Sequence, residues 1–255
     1  MSDLETVPSA YPDVPVTPPL TQTQRVIYTY TGPSKTFADI LRSRSWWLPF
    51  VLSLIFGYAY IFSMGARIGW DNITASALKQ NPAQAEKMAN LPPDQRQGAM
   101  RVAKMFTQGI TLMIPVFGLL FAAVAALILW GTINFGFGGK ATFGEVFAVW
   151  MFATLPLILR SVLGIITLFT GLDADSFNLQ NPIGSNIGYY LSPETPKWLI
   201  SLGTSLDVFW IWSFILVGIG LAIVAKVKRS SGLTAVFGWW ILILLIKVGI
   251  AAATS

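Results

Sequence analysis

A chain of 255 residues of which 54% are hydrophobic and only 11% charged is no ordinary soluble domain, where about a quarter of residues carry charge. The formal net charge of +5 sits on Lys and Arg beside apolar stretches, which suits the flanks of membrane helices and requires no nucleic acid. The absence of both His and Cys excludes imidazole and thiolate metal sites, disulfides, iron–sulfur clusters and Ser-His or Cys-His catalysis, and no cofactor is expected.

Residues 1–32 are rich in Pro, Ser and Thr, with no basic region leading into an apolar core. They read as a disordered cytoplasmic tail rather than a cleaved signal peptide. The remainder, 33–255, reads as one membrane domain. It opens with PSKTFADILRSRSWW, in which Phe37, Ile40 and Leu41 share one helical face and Trp46 and Trp47 follow a basic flank. That pattern predicts an interfacial helix over about 33–45, anchored in the membrane surface by these five residues.

Five apolar runs follow, at about 46–66, 109–133, 143–170, 198–225 and 233–253, each meeting the ~20 residues needed to cross a bilayer. The fold class is therefore all-α, a polytopic bundle of five transmembrane helices. One large hydrophilic loop, 67–108, separates the first two spans. Within it Asp94 is a candidate N-cap, and Val102, Met105 and Phe106 predict a packing face on a surface helix or on an extension of the second span. Pro115 and Pro156 lie inside the second and third spans as candidate kinks. The Gly-rich stretch from Asn134 to Glu145 lacks a P-loop ending and reads as a tight turn. Gly218 and Gly220 predict close approach of a neighbouring helix to the fourth span.

Lys and Arg distribution sets orientation. Arg25, Lys35, Arg42 and Arg44 precede the first span, Lys140 follows the second, and Lys226, Lys228 and Arg229 follow the fourth. Only Lys197 offsets Asp173, Asp175 and Glu194 in the loop before the fourth span. The N-terminus is expected in the cytoplasm and the C-terminus outside. The basic residues of the 67–108 loop run against that assignment.

Three ionisable residues lie well inside spans: Arg160, Asp207 and Lys247. Counting the ~1.5 Å helical rise places all three roughly 10–17 Å from the outer surface. Asp207 is expected to pair with Arg160, Lys247 or both, because a buried charge needs a partner. Such a cluster serves either as an interhelical clamp or as a transport site. Glu145 lies near a cytoplasmic end, where water is expected to reach it.

With these residues placed, the chain resembles the Yip-one domain (Ypt-interacting protein) family in its bacterial branch. The resemblance rests on PSKTFADI before WWLP, on TFGEVFAVWMFATLP running to Pro156, on the loop FNLQNPIGSNIGYYL, and on LDVFWIWSFILVGIGLA followed by a basic turn and LLIKVGIAA. The D-x-F-x-x-W stretch, Asp207–Phe209–Trp212, is its most specific piece. The resemblance covers about residues 33–253 and implies a five-span helical domain with a cytoplasmic N-terminus. Eukaryotic members bind Rab-type GTPases in vesicle traffic, but the Tyr-Gly-Pro motif they carry in the first span is missing here. The expected function is that of a non-enzymatic membrane adaptor or organiser in a bacterial inner membrane. Its expected partners are membrane lipids, proteins met through the tail and loops, and a second copy of the chain. The alternative is a small-solute or anion transporter built on the charged cluster.

Overall fold

The computed structural model describes residues 18–170, 177–192 and 194–253. Residues 1–17, which carry most of the expected tail, and the loop acids Asp173 and Asp175 lie outside the described residues.

The expected tail ends earlier than its composition suggested. Helix α1, Gln22–Thr31, begins on a capping box in which Thr21 Oγ1 accepts from the Gln24 amide (3.2 Å) and Gln24 Oε1 accepts from the Thr21 amide (2.9 Å). Gly32 ends it, and Pro33 opens α2, Pro33–Ile40, where a missing N–H costs nothing. The two helices form a hairpin pinned by a buried ion pair: Arg25 Nη2 and Nε lie 2.7 and 2.8 Å from Asp39 Oδ2. Arg25 Nη1 donates to the Ser43 carbonyl at 2.8 Å, so one guanidinium also shapes the turn into the first span.

The expected interfacial anchor is corrected by this hairpin. Phe37 and Ile40 are fully buried, and they belong to the main hydrophobic core rather than to the lipid surface. A Cβ at Gly220 would lie 3.1 Å from the Phe37 ring, so that glycine admits α2 against the fourth span. Trp46 packs edge-on against Phe50 and Phe147 at 5.8 and 5.0 Å. Only Leu41 and Trp47 remain on the exposed side. The apolar face was visible in the sequence; whether it met protein or lipid depended on the position of the fourth span.

The first span is α3, Trp47–Arg67. Helices α4, Trp70–Lys79, and α5, Pro82–Ala89, occupy the hydrophilic loop. Helix α6, Pro93–Gly131, then runs 39 residues without interruption through Pro115. Pro92, not Asp94, is its N-cap residue. The loop's second half is thus an extension of the second span, and Val102, Met105 and Phe106 are exposed there instead of forming a packed face. A π-helical turn, Thr132–Gly136, ends α6. Asn134 closes the Gly-rich turn by bonding both the carbonyl and the amide of Ala141, at 2.8 and 2.9 Å.

The third span is broken at Thr154 and Leu155 into α7, Phe143–Ala153, and α8, Pro156–Thr170. Pro156 therefore starts a helix and does not kink one. It has no N–H, and the Phe152 carbonyl accepts from the Leu155 amide at 3.1 Å instead. Tyr30 reaches in from the hairpin and donates to the Leu155 carbonyl at 2.8 Å. Burial pushes its phenol up to about 12, so the hydroxyl stays a donor at physiological pH. Glu145 is also corrected. It is buried, closes a capping box on Thr142, and pairs with Arg44 at 3.5 Å.

The fourth span is broken too, into α9, Lys197–Ser205, and α10, Val208–Ala225. The fifth is α11, Arg229–Ala253. α10 and α11 meet most closely at small residues. A Cβ at Gly218 would come within 3.0 Å of the Leu233 backbone, and one at Gly232 would overlap the Gly218 carbonyl oxygen. Five helical stretches are long and apolar enough to cross a membrane, and the described residues contain no β-strand, as the sequence implied.

Gly232→Ala is therefore expected to destabilise the fold by about 1–3 kcal/mol, the usual cost of overpacking a close contact. Gly238→Ala on the same helix has open space around its Cβ and should be neutral or gain up to about 1 kcal/mol in helix propensity. Thermal melts of the two variants in one detergent compare them directly.

Candidate functional site

Asp207 lies between helices, not within one. It is the N-cap of α10, and its Oδ1 accepts from the amides of Phe209 (2.9 Å) and Trp210 (3.2 Å). A membrane helix that starts at bilayer depth leaves orphan amides, and a carboxylate is a strong cap for them. The other oxygen, Oδ2, accepts from Arg160 Nε at 3.1 Å and from the Ser185 hydroxyl. Four donors therefore occupy one carboxylate, which offers about four lone-pair directions.

Ser185 arrives on the loop between α8 and α9. That loop's stretch around Asn181, Ile183, Ser185 and Asn186 is buried against protein, which is where irregular backbone is tolerated at membrane depth. Val208 donates to the Ser185 carbonyl at 3.1 Å, and Asn186 bridges Asp207 in an antiparallel manner. Asn181 and Asn186 exchange side-chain amide hydrogen bonds at 3.0 and 2.7 Å. Close packing of Gly188 on Gly203 seats the loop against α9.

The sequence therefore identified one true pair, Arg160 with Asp207, and one misplaced member. Lys247 is exposed, and its Nζ donates to Ser205 Oγ at 3.2 Å. It lies on the same level of the bundle but forms no ion pair with Asp207 among the described residues. The motif residues divide the work. The Phe209 amide completes the cap, while Trp212 packs edge-on against Tyr30 at 5.8 Å and ties α10 to the N-terminal hairpin. Pro156 marks the break in the third span, four residues before Arg160.

Sequence reasoning missed Ser185, Asn181 and Asn186. Their run NPIGSN has the composition of an ordinary solvated loop, so the sequence carried no signal that it folds inward. It also missed the Arg25–Asp39 pair, whose signal was the Thr21-x-x-Gln24 capping box in a stretch otherwise read as tail.

Beside Arg160 a cavity of about 690 Å³ runs between α3, α6 and the broken third span. Phe50, Ile61, Ile114, Phe121 and Trp150 are among its walls, with Tyr60 and Arg160 among its polar members. The Arg160 side chain keeps 28% of its surface exposed. Among the described residues only its Nε has a hydrogen-bond partner, and the Tyr60 hydroxyl is buried without one.

Apolar helices spanning the width of a bilayer, two of them interrupted and held by capped polar joints, define a multi-pass α-helical membrane protein. A family model for the Yip1 domain matches residues 27–250, and the chain belongs to that family. No curated protein and no solved structure matches it.

Asp207→Ala should cost about 3–5 kcal/mol, since it strands Arg160 and uncaps α10. Asp207→Asn should cost less, because Asn caps nearly as well. A double-mutant cycle of Arg160→Gln with Asp207→Asn should show coupling of at least about 0.5 kcal/mol, whereas Lys247→Gln should add to Asp207→Asn within that margin. Equal coupling to both cations would contradict the geometry.

Proposed function

We propose that this Yip1-family protein is a non-enzymatic membrane adaptor or organiser, with its intramembrane charges serving as a structural clamp. The observation that carries the reading is the saturation of Asp207 by Arg160, Ser185 and two backbone amides. A carboxylate so occupied has no free direction for a passing proton or cation. The buried Arg25–Asp39 pair is committed to structure in the same way. The soluble surface lies in α4, α5 and the projecting start of α6, which suits partner contact more than solute passage.

Anion transport is the second reading, and it rests on Arg160 facing the cavity. Proteoliposome flux separates the two. No flux of chloride, phosphate or alkali cations above protein-free liposomes is expected. Anion flux above that level from the folded protein would overturn the adaptor reading.

The reading includes a cytoplasmic N-terminus and an external C-terminus, in the inner membrane of a bacterial cell. Its support is the gathering of basic residues at one end of the bundle. Arg229 reaches Ser34 at 3.4 Å, Arg44 reaches Glu145, and the Lys140 amide donates to the Ala225 carbonyl. Three cations of the opposite end are engaged within the protein. Lys104 pairs with Asp71 at 2.9 Å, Arg67 donates to the Leu168 carbonyl, and Arg96 donates to the Ala89 and Leu91 carbonyls. Single cysteines at Thr23 or Ser230 should resist an impermeant maleimide in intact cells, and one at Ser192 should label. The reverse pattern inverts the topology.

A further inference from the structure

We propose that the cavity beside the clamp is a site for one anionic phospholipid, with an acyl chain between α3 and α6 and its phosphate against Arg160. The proposal deepens the adaptor reading by naming a lipid partner.

The polar end of the cavity presents donors. Arg160 binds Asp207 and Ser185 through Nε alone, and among the described residues its two terminal nitrogens have no partner. Their four N–H groups suit a phosphate, which accepts in the planar fork geometry of a guanidinium. Tyr60 lines the same cavity, but its hydroxyl is buried, with no partner among the described residues. Its ring is held close to α8, since a Cβ at Gly164 would lie 2.6 Å from it.

Local charge favours an anion although Arg160 is paired. The Asp207 carboxylate already answers the amides at the start of α10, where the helix dipole contributes about half a positive charge. Arg160 and the helix end together exceed the one carboxylate.

Depth and shape favour a lipid over a free ion. Along α10 the 18 residues from Val208 to Ala225 cover about 27 Å, and Arg160 stands about 26 Å beyond Phe143 if the break is neglected. These distances approach the ~30 Å hydrocarbon thickness, so the clamp sits toward the far leaflet from the basic end. On α3 the cavity walls extend from Phe50 to Met64, about 21 Å of helix. That exceeds the roughly 15 Å available to the chains of one leaflet. An apolar groove of that height with a guanidinium toward one end matches a chain and its headgroup, whereas a free anion would leave most of the groove dry.

The test uses the full chain, purified in detergent, stripped of lipid and titrated with phosphatidylglycerol, phosphatidylcholine or inorganic phosphate. Native mass spectrometry counts retained lipid, and thermal shift reports phosphate. One phosphatidylglycerol should be retained per chain in preference to phosphatidylcholine, with no shift from phosphate. Arg160→Lys keeps a cation beside Asp207 but loses the planar guanidinium fork, and should weaken phosphatidylglycerol binding about tenfold, as expected for losing a bond to a charged group. Gly118 lines the cavity with open space around its Cβ, so Gly118→Leu should fill the groove and abolish retention while the melting temperature holds. Retention undiminished in Gly118→Leu, no preference between the two lipids, or a phosphate shift equal to that from phosphatidylglycerol would each overturn the proposal. The flux assay bears on the adaptor reading separately, so failure of the lipid site leaves that reading standing.

Discussion

The bundle depends on a carboxylate placed where a membrane helix begins. Two of the five spans are broken, and a break inside a bilayer exposes amides and carbonyls with no water to satisfy them. Asp207 resolves the break in the fourth span by capping α10 with one oxygen. Its other oxygen holds Arg160 of α8 and Ser185 of the inward-folded loop. One residue thus sets the start of a helix, the neighbour of that helix and the path of a loop. In the third span a tighter turn bonds the Phe152 carbonyl, and Tyr30 contributes a hydrogen bond to the Leu155 carbonyl from outside the span.

The N-terminal hairpin extends the same logic to the other end of α10. Trp212 meets Tyr30, Gly220 makes room for Phe37, and Arg229 reaches Ser34. The hairpin is internally rigid because Arg25 and Asp39 are buried together and further satisfied by backbone carbonyls. Such a pair adds less to stability than its Coulomb energy suggests, because both charges are desolvated. Its effect is to specify one geometry for a segment of low hydrophobicity. α10 is consequently the most enclosed of the spans, whereas α6 and α11 present long apolar faces to the surroundings.

A clamp of this kind leaves donor capacity that it does not use. Arg160 serves Asp207 through a single nitrogen and lines the cavity, its terminal nitrogens without a partner among the described residues. The proposed adaptor role and the proposed lipid site therefore draw on the same geometry without competing for atoms.

The sequence by itself determined the class: five runs of sufficient length and apolarity, no His or Cys chemistry, a family pattern over most of the chain, and a deep carboxylate that required a cation. These follow from solvation, which acts on each segment whatever its neighbours are. Only the tertiary structure decided that Arg160 and not Lys247 was the ionic partner, that Asp207 stood at a helix start, and that Phe37 and Ile40 faced protein rather than lipid. Helical rise places residues on a common level but carries no information about the direction each face takes around the bundle. That direction is set by close contacts such as Gly218 with Leu233 and Gly220 with Phe37, which join segments far apart in the chain. The breaks at Thr154 and Leu206 were hidden for a related reason. An apolar run stays apolar whether or not its helix is interrupted, and a break survives in a membrane only when another part of the fold supplies its hydrogen bonds.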